Sequence, residues 1–295
     1  MTLWVIVGAT GTGKSALSVE LAHALEQGGR RAEIVNADAM QLYRGMDIGT
    51  AKITPAERRG IPHHLFDVIE VRDEATVAWY QPVARDVIRQ IHERGHDAIL
   101  VGGSGLYMSS VVFDFSFPPR DEELRKRLEE AAERLGTSSL LAQLQALDPE
   151  AAGAVDASNP RRVIRALEVA LLGGNPQVTL PEAPELWRAD TRIIGVQVER
   201  ADLVQRLDHR VEGMWAAGLL QEVRGLMPQG LGDGKTASRA IGYAQAIAEI
   251  SGELTRAEAI EQTQQLTRRY ARRQVSWFKR YPGIEWLSTG ELPTL

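Results

Sequence analysis

The sequence contains no cysteine in its 295 residues. This absence excludes disulfide bonds, thiol catalysis and zinc sites with cysteine ligands, and it is typical of proteins in a reducing compartment. The sequence also lacks an excess of positive charge, since its formal net charge is −5 at pH 7. Taken by itself, this charge argues against a nucleic-acid partner, because phosphate-binding surfaces are usually basic.

Long hydrophobic runs are missing as well. The longest uncharged apolar stretch, residues 98–113, is interrupted by Gly-Gly-Ser-Gly, and it is shorter than the ~20 residues that a membrane helix needs. The first residues have no basic region of the kind that begins a signal peptide. With 44% hydrophobic and 25% charged residues, the composition is globular. We therefore expect a cytoplasmic protein that does not associate with membranes.

Apolar segments alternate with helical patterns over much of the chain. Continuous apolar runs predict strands at 3–7, 32–35, 98–101, 191–198 and 284–287. Apolar residues at helical spacing predict helices at 16–25, 77–94, 200–215, 238–250 and 255–278. Strands that alternate with helices in this way indicate an α/β fold with a parallel sheet.

Residues 118–189 have a different character. Several helical patterns follow one another there without an intervening strand, and a proline-containing loop at 173–184 closes the stretch. The sequence therefore predicts an all-helical domain at 118–189, inserted into a catalytic core that consists of residues 1–117 and 190–295.

A phosphate-binding motif lies between the first predicted strand and the first predicted helix. It reads Gly8, Ala9, Thr10, Gly11, Thr12, Gly13, Lys14 and Ser15, and it matches the P-loop pattern G-x-x-x-x-G-K-S/T. Glycines allow successive backbone N–H groups to face a phosphate at the start of a helix. Lys14 is expected to reach the terminal phosphate, and the Ser15 hydroxyl is expected to join a Mg²⁺ shell. The motif predicts diphosphate or triphosphate binding without identifying the ligand.

The acidic residue that P-loop ATPases place after an apolar strand is missing from its usual position. The strand at 98–101 runs into Gly-Gly-Ser-Gly, and Asp97 stands at its other end. A motor or GTPase is therefore disfavoured. Asp38 instead lies just past the second strand, at the edge where open α/β sheets bind ligands. It is suited to act as a general base or a Mg²⁺ ligand, although a helix N-cap is an equally simple interpretation.

Seven further blocks occur in order along the chain. They are NADAMQLY at 36–43, GMDIGTAK at 45–52, IPHHL at 61–65, VGGSGLY at 101–107, NPRRVIRALE at 159–168, SRAIGY at 238–243 and RRQVSWFK at 272–279. With these blocks the chain resembles the tRNA dimethylallyltransferase family over nearly its whole length. Eukaryotic relatives append a Cys/His zinc finger, so a chain without cysteine resembles the shorter bacterial form.

The resemblance implies prenyl transfer rather than phosphoryl transfer. The family moves a dimethylallyl group from dimethylallyl diphosphate to the exocyclic amine of the adenosine 3′ to the anticodon in tRNA, and diphosphate is released. By resemblance, Asp38 takes the amine proton and Ser104, where the family usually carries threonine, bonds to the base or its ribose. Arg239 would be a second cation on the diphosphate or on the tRNA backbone, and Mg²⁺ would neutralise the leaving group. The adenine would be flipped out of the anticodon loop to react.

The resemblance also implies a large tRNA interface with the anticodon stem-loop. Its residues would be Asp38, Ala39, Met40, Gln41, Ser104, Arg125, Arg161, Arg162, Arg165, Arg239, Gly242, Tyr243, Arg272, Arg273, Gln274, Trp277 and Lys279. Independently, residues 262–282 mix basic and aromatic side chains without any acidic one, a pattern that suits phosphate contacts and base stacking. The simpler alternatives are a helix with an aromatic core face and a solvated basic face and, for the arginines of the insertion, local pairing with glutamates.

Three other functions remain open at this point. An adenylate isopentenyltransferase uses the same donor with a free nucleotide, a P-loop nucleotide kinase would use the insertion as a lid, and a nucleotide-gated RNA-binding module would have no activity. The helical insertion and the basic C-terminal stretch favour tRNA as the acceptor. His63 and His64 are interpreted as loop residues rather than metal ligands. We expect a monomer without an obligate protein partner.

Overall fold

The computed structural model describes residues 1–114, 117–174 and 184–295. The chain divides into two compact units, one formed by Met1–Asp114 with Glu185–Leu295 and the other by Phe115–Pro184. Most of the loop predicted at 173–184, namely 175–183, lies outside the described residues. In the part of the chain that is described, no helix is both long enough and apolar enough to cross a membrane.

The first unit is built on a six-stranded sheet in which every pair of neighbours is parallel. In chain order the strands are β1 (Leu3–Gly8), β2 (Ala32–Asn36), β3 (His63–His64), β4 (Asp97–Gly102), β5 (Thr191–Gln197) and β6 (Glu285–Ser288). Their spatial order is β3-β2-β4-β1-β5-β6. Every residue of β1, β2 and β4 is buried, as expected for strands covered on both faces. The predicted α/β fold with a parallel sheet is confirmed.

Eleven α-helices occur in the described residues. They are α1 (Lys14–Gln27), α2 (Val77–Glu93), α3 (Gly105–Val112), α4 (Glu122–Leu135), α5 (Thr137–Leu147), α6 (Pro149–Ala154), α7 (Pro160–Leu171), α8 (Arg200–Ala216), α9 (Leu219–Leu226), α10 (Tyr243–Ser251) and α11 (Arg256–Phe278). Helices α4 to α7 belong to the second unit and pack around a core of their own, which includes Leu128, Leu140 and Leu167.

Some elements differ from the prediction. The helices α3 and α9 were not expected, because each has only eight residues and so offers too short a window for helical periodicity. His63 and His64, interpreted as loop residues, form the short edge strand β3 beside Ile34 and Val35. The helix expected from residue 238 begins at Tyr243 instead.

The sheet topology determines where a ligand site can form. Because the strands are parallel, the carboxyl ends of β1, β2 and β4 lie at the same edge. The segment after β2 is held against β4 there, since the Ala37 backbone nitrogen donates to the Val101 carbonyl at 2.8 Å. The residues that follow these three strands therefore meet at one edge, where open α/β sheets bind their ligands.

Candidate active site

The loop between β1 and α1 adopts the conformation that its glycines allow. Gly11 and Gly13 have φ angles of 81° and 91°, a region that glycine enters without steric cost. Gly8 is required for a different reason, because a Cβ atom there would lie 2.6 Å from the carbonyl oxygen of Val196 on β5. The predicted phosphate loop thus begins where two strand backbones approach closely and ends at the first turn of α1.

Lys14 is folded back into this loop. Its ammonium donates to the carbonyl oxygen of Ala9 at 2.6 Å, and the Thr12 hydroxyl donates to the same oxygen at 2.9 Å. Burial lowers the pKa of Lys14 to about 8, and the neighbouring Arg210 acts in the same direction while Asp38 opposes it. A phosphate bound in the loop would place negative charge beside the Lys14 ammonium and would raise its pKa.

Asp38 is held by hydrogen bonds of its backbone nitrogen and of one of its two carboxylate oxygens. The Asp38 backbone nitrogen donates to Asn36 Oδ1 at 2.9 Å, and Asp38 Oδ1 accepts from the Met40 nitrogen at 3.0 Å. The Ser104 hydroxyl accepts from the Ala39 nitrogen at 3.2 Å and so ties this segment to the end of β4. Within the described residues, Oδ2 of Asp38 has no hydrogen bond. This oxygen is therefore available as an acceptor for a ligand.

A cavity of about 350 Å³ brings the phosphate loop and Asp38 together. Thr10, Lys14 and Ser15 line it on one side, and Asp38 lines it as well. Apolar side chains complete another part of the wall, namely Ile34, Ile53 and Phe66. The cavity therefore combines an anion cradle, a carboxylate and an apolar surface.

Arg210 of α8, which was not predicted from the sequence, also lines this cavity. Its Nη1 donates to the Thr10 hydroxyl and its Nη2 to the Thr50 carbonyl, both at 3.2 Å. Burial lowers the pKa of Arg210, although the nearby Asp38 raises it. The available signal was the spacing of Arg206 and Arg210, which lie four residues apart and therefore on one helix face. Arg206 lines the same cavity.

Tyr270 and Gln274 of α11 complete the arrangement around Ser104. Burial, followed by the charge of Asp38, raises the pKa of Tyr270 to about 12, while the side chains of Ser104 and Gln274 act to lower it. Gln274 is 4% exposed. Its Oε1 accepts from the Thr10 nitrogen and its Nε2 donates to the Gly103 carbonyl, both at 2.8 Å. Its amide thus holds the phosphate loop, and because Gln274 also lines the cavity, its contact with tRNA stays a prediction.

The oxygen donors of the cavity fit a hard divalent cation. Ser15 is exposed in the first turn of α1, and its hydroxyl has no hydrogen bond among the described residues. The described ranges hold no group of three or more His, Cys, Asp or Glu that would form a protein-only metal cage. Magnesium commonly binds through one or two protein oxygens together with substrate phosphates and water. Ser15 is placed for such a role, with Asp38 as the acidic side chain of the same cavity.

Three predicted residues lie away from this cavity. Arg239 is exposed in a short 3₁₀ turn and does not line it, so a contact with the donor diphosphate is not supported. Gly242 starts α10 with a φ angle of 92°. Tyr243 is 0% exposed, and its hydroxyl donates to Glu222 Oε1 at 2.5 Å. A direct tRNA contact is therefore replaced by an internal hydrogen bond.

The three residues that follow Asp38 were also predicted to contact tRNA. Ala39 is 9% exposed, while Met40 and Gln41 are partly exposed and Gln41 lines the cavity. The Gln41 side chain donates to the Thr50 carbonyl at 3.1 Å.

Helix α11 has two distinct faces. Ala271, Gln274 and Phe278 are buried. The exposed residues of the predicted basic interface are Arg272, Arg273 and, just after the helix, Lys279. Trp277 is partly exposed, but its indole nitrogen donates to the Ser109 hydroxyl at 3.0 Å and its ring is covered by the Arg280 guanidinium. The aromatic residues thus serve the core while the basic ones face solvent.

The predicted tRNA-binding arginines of the second unit also fall into two groups, those with internal contacts and those that face solvent. Glu168 is 0% exposed, and it binds Arg165 at 2.8 Å and Arg125 at 3.4 Å. Arg165 also donates to the carbonyl oxygens of Pro118 and Pro119. Arg125 and Arg165 are thus paired internally with a buried carboxylate, and their tRNA contacts stay predictions. Of the arginines predicted to bind tRNA in this unit, Arg161 and Arg162 are exposed.

Comparisons with known proteins agree on one family. The model of the family described as IPP transferase matches residues 41–281. A tRNA dimethylallyltransferase from Clavibacter sepedonicus is 57% identical over 276 residues, which cover 94% of this chain and 90% of that relative. One from Thermobifida fusca (strain YX) is 51% identical over 287 residues, covering 97% of this chain and 89% of that relative.

Solved structures show the same similarity. The tRNA isopentenylpyrophosphate transferase of Bacillus halodurans superposes with a TM-score of 0.70 at 39% identity, and the match covers 98% of this chain and 90% of the other. A eukaryotic dimethylallyltransferase acting on tRNA superposes with a TM-score of 0.80 at 28% identity, covering 98% of this chain and 74% of the other. The similarity therefore extends through almost the entire length of this chain.

Proposed function

The chain belongs to the IPP transferase family, and we propose that the cavity beside its phosphate loop is the place where it transfers a dimethylallyl group to tRNA. The protein is a prenyltransferase that modifies tRNA. One observation carries the assignment of this reaction to the cavity: two cations, Lys14 and Arg210, lie near Asp38 and line the same space.

The donor would bind with its diphosphate in the loop formed by Gly8, Ala9, Thr10, Gly11, Thr12, Gly13, Lys14 and Ser15. Its charge would be met by the loop amides, the start of α1, Lys14 and Arg210. The apolar wall formed by Ile34, Ile53 and Phe66 offers a dry surface for the dimethylallyl group. Mg²⁺, held by Ser15 and the phosphates, would add positive charge where the leaving group becomes negative.

The acceptor is the exocyclic amine of the adenosine 3′-adjacent to the anticodon. As the amine nitrogen bonds to the allylic carbon, the bond from that carbon to the diphosphate oxygen breaks and its electron pair leaves with the diphosphate. Oδ2 of Asp38 takes the proton released by the amine, and the Met40 amide keeps the carboxylate oriented through Oδ1. Ser104 and Tyr270 border the carboxylate and would orient the adenine. The base must leave its stack to react, at a cost of a few kcal/mol.

The tRNA backbone would be bound by those predicted interface residues that are both cationic and exposed. In the first unit these are Arg272, Arg273 and Lys279, with Arg239 on the phosphates of tRNA rather than on the donor. In the second unit they are Arg161 and Arg162. We propose that the second unit grips the anticodon arm. The enzyme would act in the cytoplasm as a monomer.

Labelled dimethylallyl diphosphate tests this function directly. The intact protein is incubated with the labelled donor and Mg²⁺, either with unmodified tRNA or with AMP. The expected result is label in tRNA, at the adenosine 3′ to the anticodon, with release of one diphosphate per transferred group. Label in AMP alone would identify an adenylate isopentenyltransferase. ATP consumption on addition of a nucleoside monophosphate would identify a kinase.

A further inference from the structure

The GMDIGTAK block at 45–52 forms a loop in which three successive backbone nitrogens bind one carboxylate of α9. Glu222 Oε2 accepts from the backbone nitrogens of Asp47 and Ile48 at 3.1 and 2.7 Å, and Oε1 accepts from that of Gly49 at 3.3 Å. The Tyr243 hydroxyl donates to the same Oε1 at 2.5 Å. Four donors thus converge on the Glu222 carboxylate.

From this arrangement we infer that Glu222 and Tyr243 are positioning residues of the transfer reaction, which act on the donor diphosphate through the loop at 46–50 and Arg210. The inference rests on the proposed use of the cavity. It assigns a role to two sequence blocks that do not touch the phosphate loop themselves, and it replaces the tRNA contact expected of Tyr243.

The path from Glu222 to the cavity consists of consecutive contacts. Immediately after the three bound nitrogens, the Thr50 carbonyl accepts from Arg210 Nη2 at 3.2 Å. The other end of the guanidinium donates to the Thr10 hydroxyl in the phosphate loop. Thr50 is itself held by its hydroxyl, which donates to the Met46 carbonyl at 2.7 Å. The position of Thr50 therefore determines how the Arg210 guanidinium faces a bound diphosphate.

Tyr243 contributes shape as well as a hydrogen bond. A Cβ atom on Gly49 would lie 2.4 Å from Cε2 of the Tyr243 ring, so the ring and the loop backbone are in direct contact. Burial, followed by the charge of Glu222, raises the pKa of Tyr243, which keeps its hydroxyl protonated and able to donate. The same loop is also held by the buried Lys52 ammonium, which binds Asp47 and Asp67 at 2.7 and 2.6 Å.

The test measures binding of inorganic diphosphate to the intact protein by calorimetry, next to binding of tRNA and transfer kinetics. Tyr243→Phe removes one oxygen and keeps the ring, while Glu222→Gln removes the charge. We expect each variant to weaken diphosphate binding and to raise the KM for the donor by about tenfold, since a bond to a charged group is lost. The affinity for tRNA should stay within about twofold.

A matched control comes from the same helical region. The Glu249 carboxylate accepts from the indole nitrogen of Trp215 at 2.6 Å, but it does not bind the loop at 46–50. Glu249→Gln should therefore leave diphosphate affinity unchanged, even where it lowers the melting temperature as much as Glu222→Gln does. Equal losses of diphosphate affinity in both variants would mean that Glu222 acts through general stability alone.

Coupling to Arg210 completes the test. On an Arg210→Gln background, Glu222→Gln and Tyr243→Phe should weaken diphosphate binding little further, because their effect passes through that side chain. Fully additive losses would overturn the inference, as would a Tyr243→Phe variant that binds diphosphate normally but loses tRNA affinity. Because diphosphate binding needs no acceptor, these outcomes are distinct from a failure of tRNA prenylation itself. If Glu222→Gln does not fold, the milder Tyr243→Phe decides.

Discussion

The Arg210 guanidinium lies 3.2 Å from the Thr10 hydroxyl, so a cation of α8 is bonded to the phosphate loop between β1 and α1. The same side chain reaches the Thr50 carbonyl. Two segments that border the cavity are thereby joined by one positive charge. A bound diphosphate would lie against a cation that is already fixed in place, which is the arrangement that stabilises charge developing in a transition state.

Replacing the Arg210 guanidinium should impair the use of the diphosphate donor more than the binding of the tRNA acceptor. For Arg210→Gln we expect kcat/KM for the donor to fall about a hundredfold, while tRNA affinity changes little. Arg210→Lys should recover only part of the loss, since an ammonium cannot reach both partners at once. Steady-state kinetics with each substrate varied in turn checks this. Arg224→Gln, an exposed arginine on α9, serves as the control, and an equal loss there would refute the assignment.

Asp38→Asn should separate chemistry from binding. The amide can still accept from the Met40 nitrogen but cannot take a proton, so we expect kcat to fall by about 10²- to 10³-fold. tRNA affinity should remain within a few fold. Single-turnover transfer and filter binding measure the two quantities, with the exposed Asp86→Asn as the control. A large loss of tRNA affinity would instead make Asp38 a residue that positions the ligand.

Donor binding should take up protons at Lys14. The pKa of this side chain is lowered to about 8 in the free protein, and a bound diphosphate raises it. Binding should therefore weaken as the pH rises above about 8, because protonation of Lys14 then opposes it. Calorimetry with inorganic diphosphate at pH 8.5, in buffers of different ionisation enthalpy, counts the protons. The Lys14→Arg variant keeps its positive charge throughout this pH range. Subtracting its proton uptake from that of the native protein removes the contribution of the protons that the diphosphate itself binds or releases. Equal uptake in both proteins would exclude Lys14 as the group that titrates.

The exposed and the paired arginines should respond differently to salt. Replacing both Arg272 and Arg273 by glutamine should reduce the slope of log affinity for tRNA against log salt concentration by about 1.4, from about 0.7 for each phosphate contact. Arg165→Gln should leave that slope unchanged and destabilise the helical unit by roughly 1–3 kcal/mol, since the buried Glu168 loses a partner. Titrations at several salt concentrations and thermal unfolding distinguish the two effects. An unchanged slope in the double variant would place these arginines away from the tRNA backbone.

Glu33 should contribute to the free energy of unfolding of the first unit at neutral pH but not in acid. Burial acts to raise its pKa, but hydrogen bonds from Arg94, His96 and His64 lower it from 4.5 to about 2. Because the pKa is lower in the folded state, the stabilisation is complete above pH 4.5 and is lost as the pH falls towards 2. Unfolding by urea at several pH values should show this loss in the native protein but not in Glu33→Gln. Parallel curves for the two proteins would refute it.

The family and the α/β core were predictable because their signals are local. A buried strand, a glycine-rich turn and a helix follow one another at 3–27, and the next strands end in residues with polar side chains. Parallel topology then requires these ends to meet, which is why Asp38 and the phosphate loop share a cavity. Prenyl transfer to tRNA, inferred from the ordered blocks, is confirmed by the named relatives.

The role of Arg210 and the pairing of the arginines could not be predicted, because they depend on contacts between residues that are distant in the sequence. Arg210 looks like an ordinary surface arginine of α8, and only the fold brings it to Thr10 and Thr50. Likewise, a count of charges cannot tell Arg272, which is exposed, from Arg125, which binds a buried carboxylate.

One amide connects the two substrate surfaces. Gln274 spans the phosphate loop and the end of β4 from the buried face of α11, and the neighbouring Arg273 points out of the same helix. Because the two residues are adjacent in α11, any shift of that helix would displace the exposed guanidinium of Arg273 and the amide that holds the Thr10 nitrogen together.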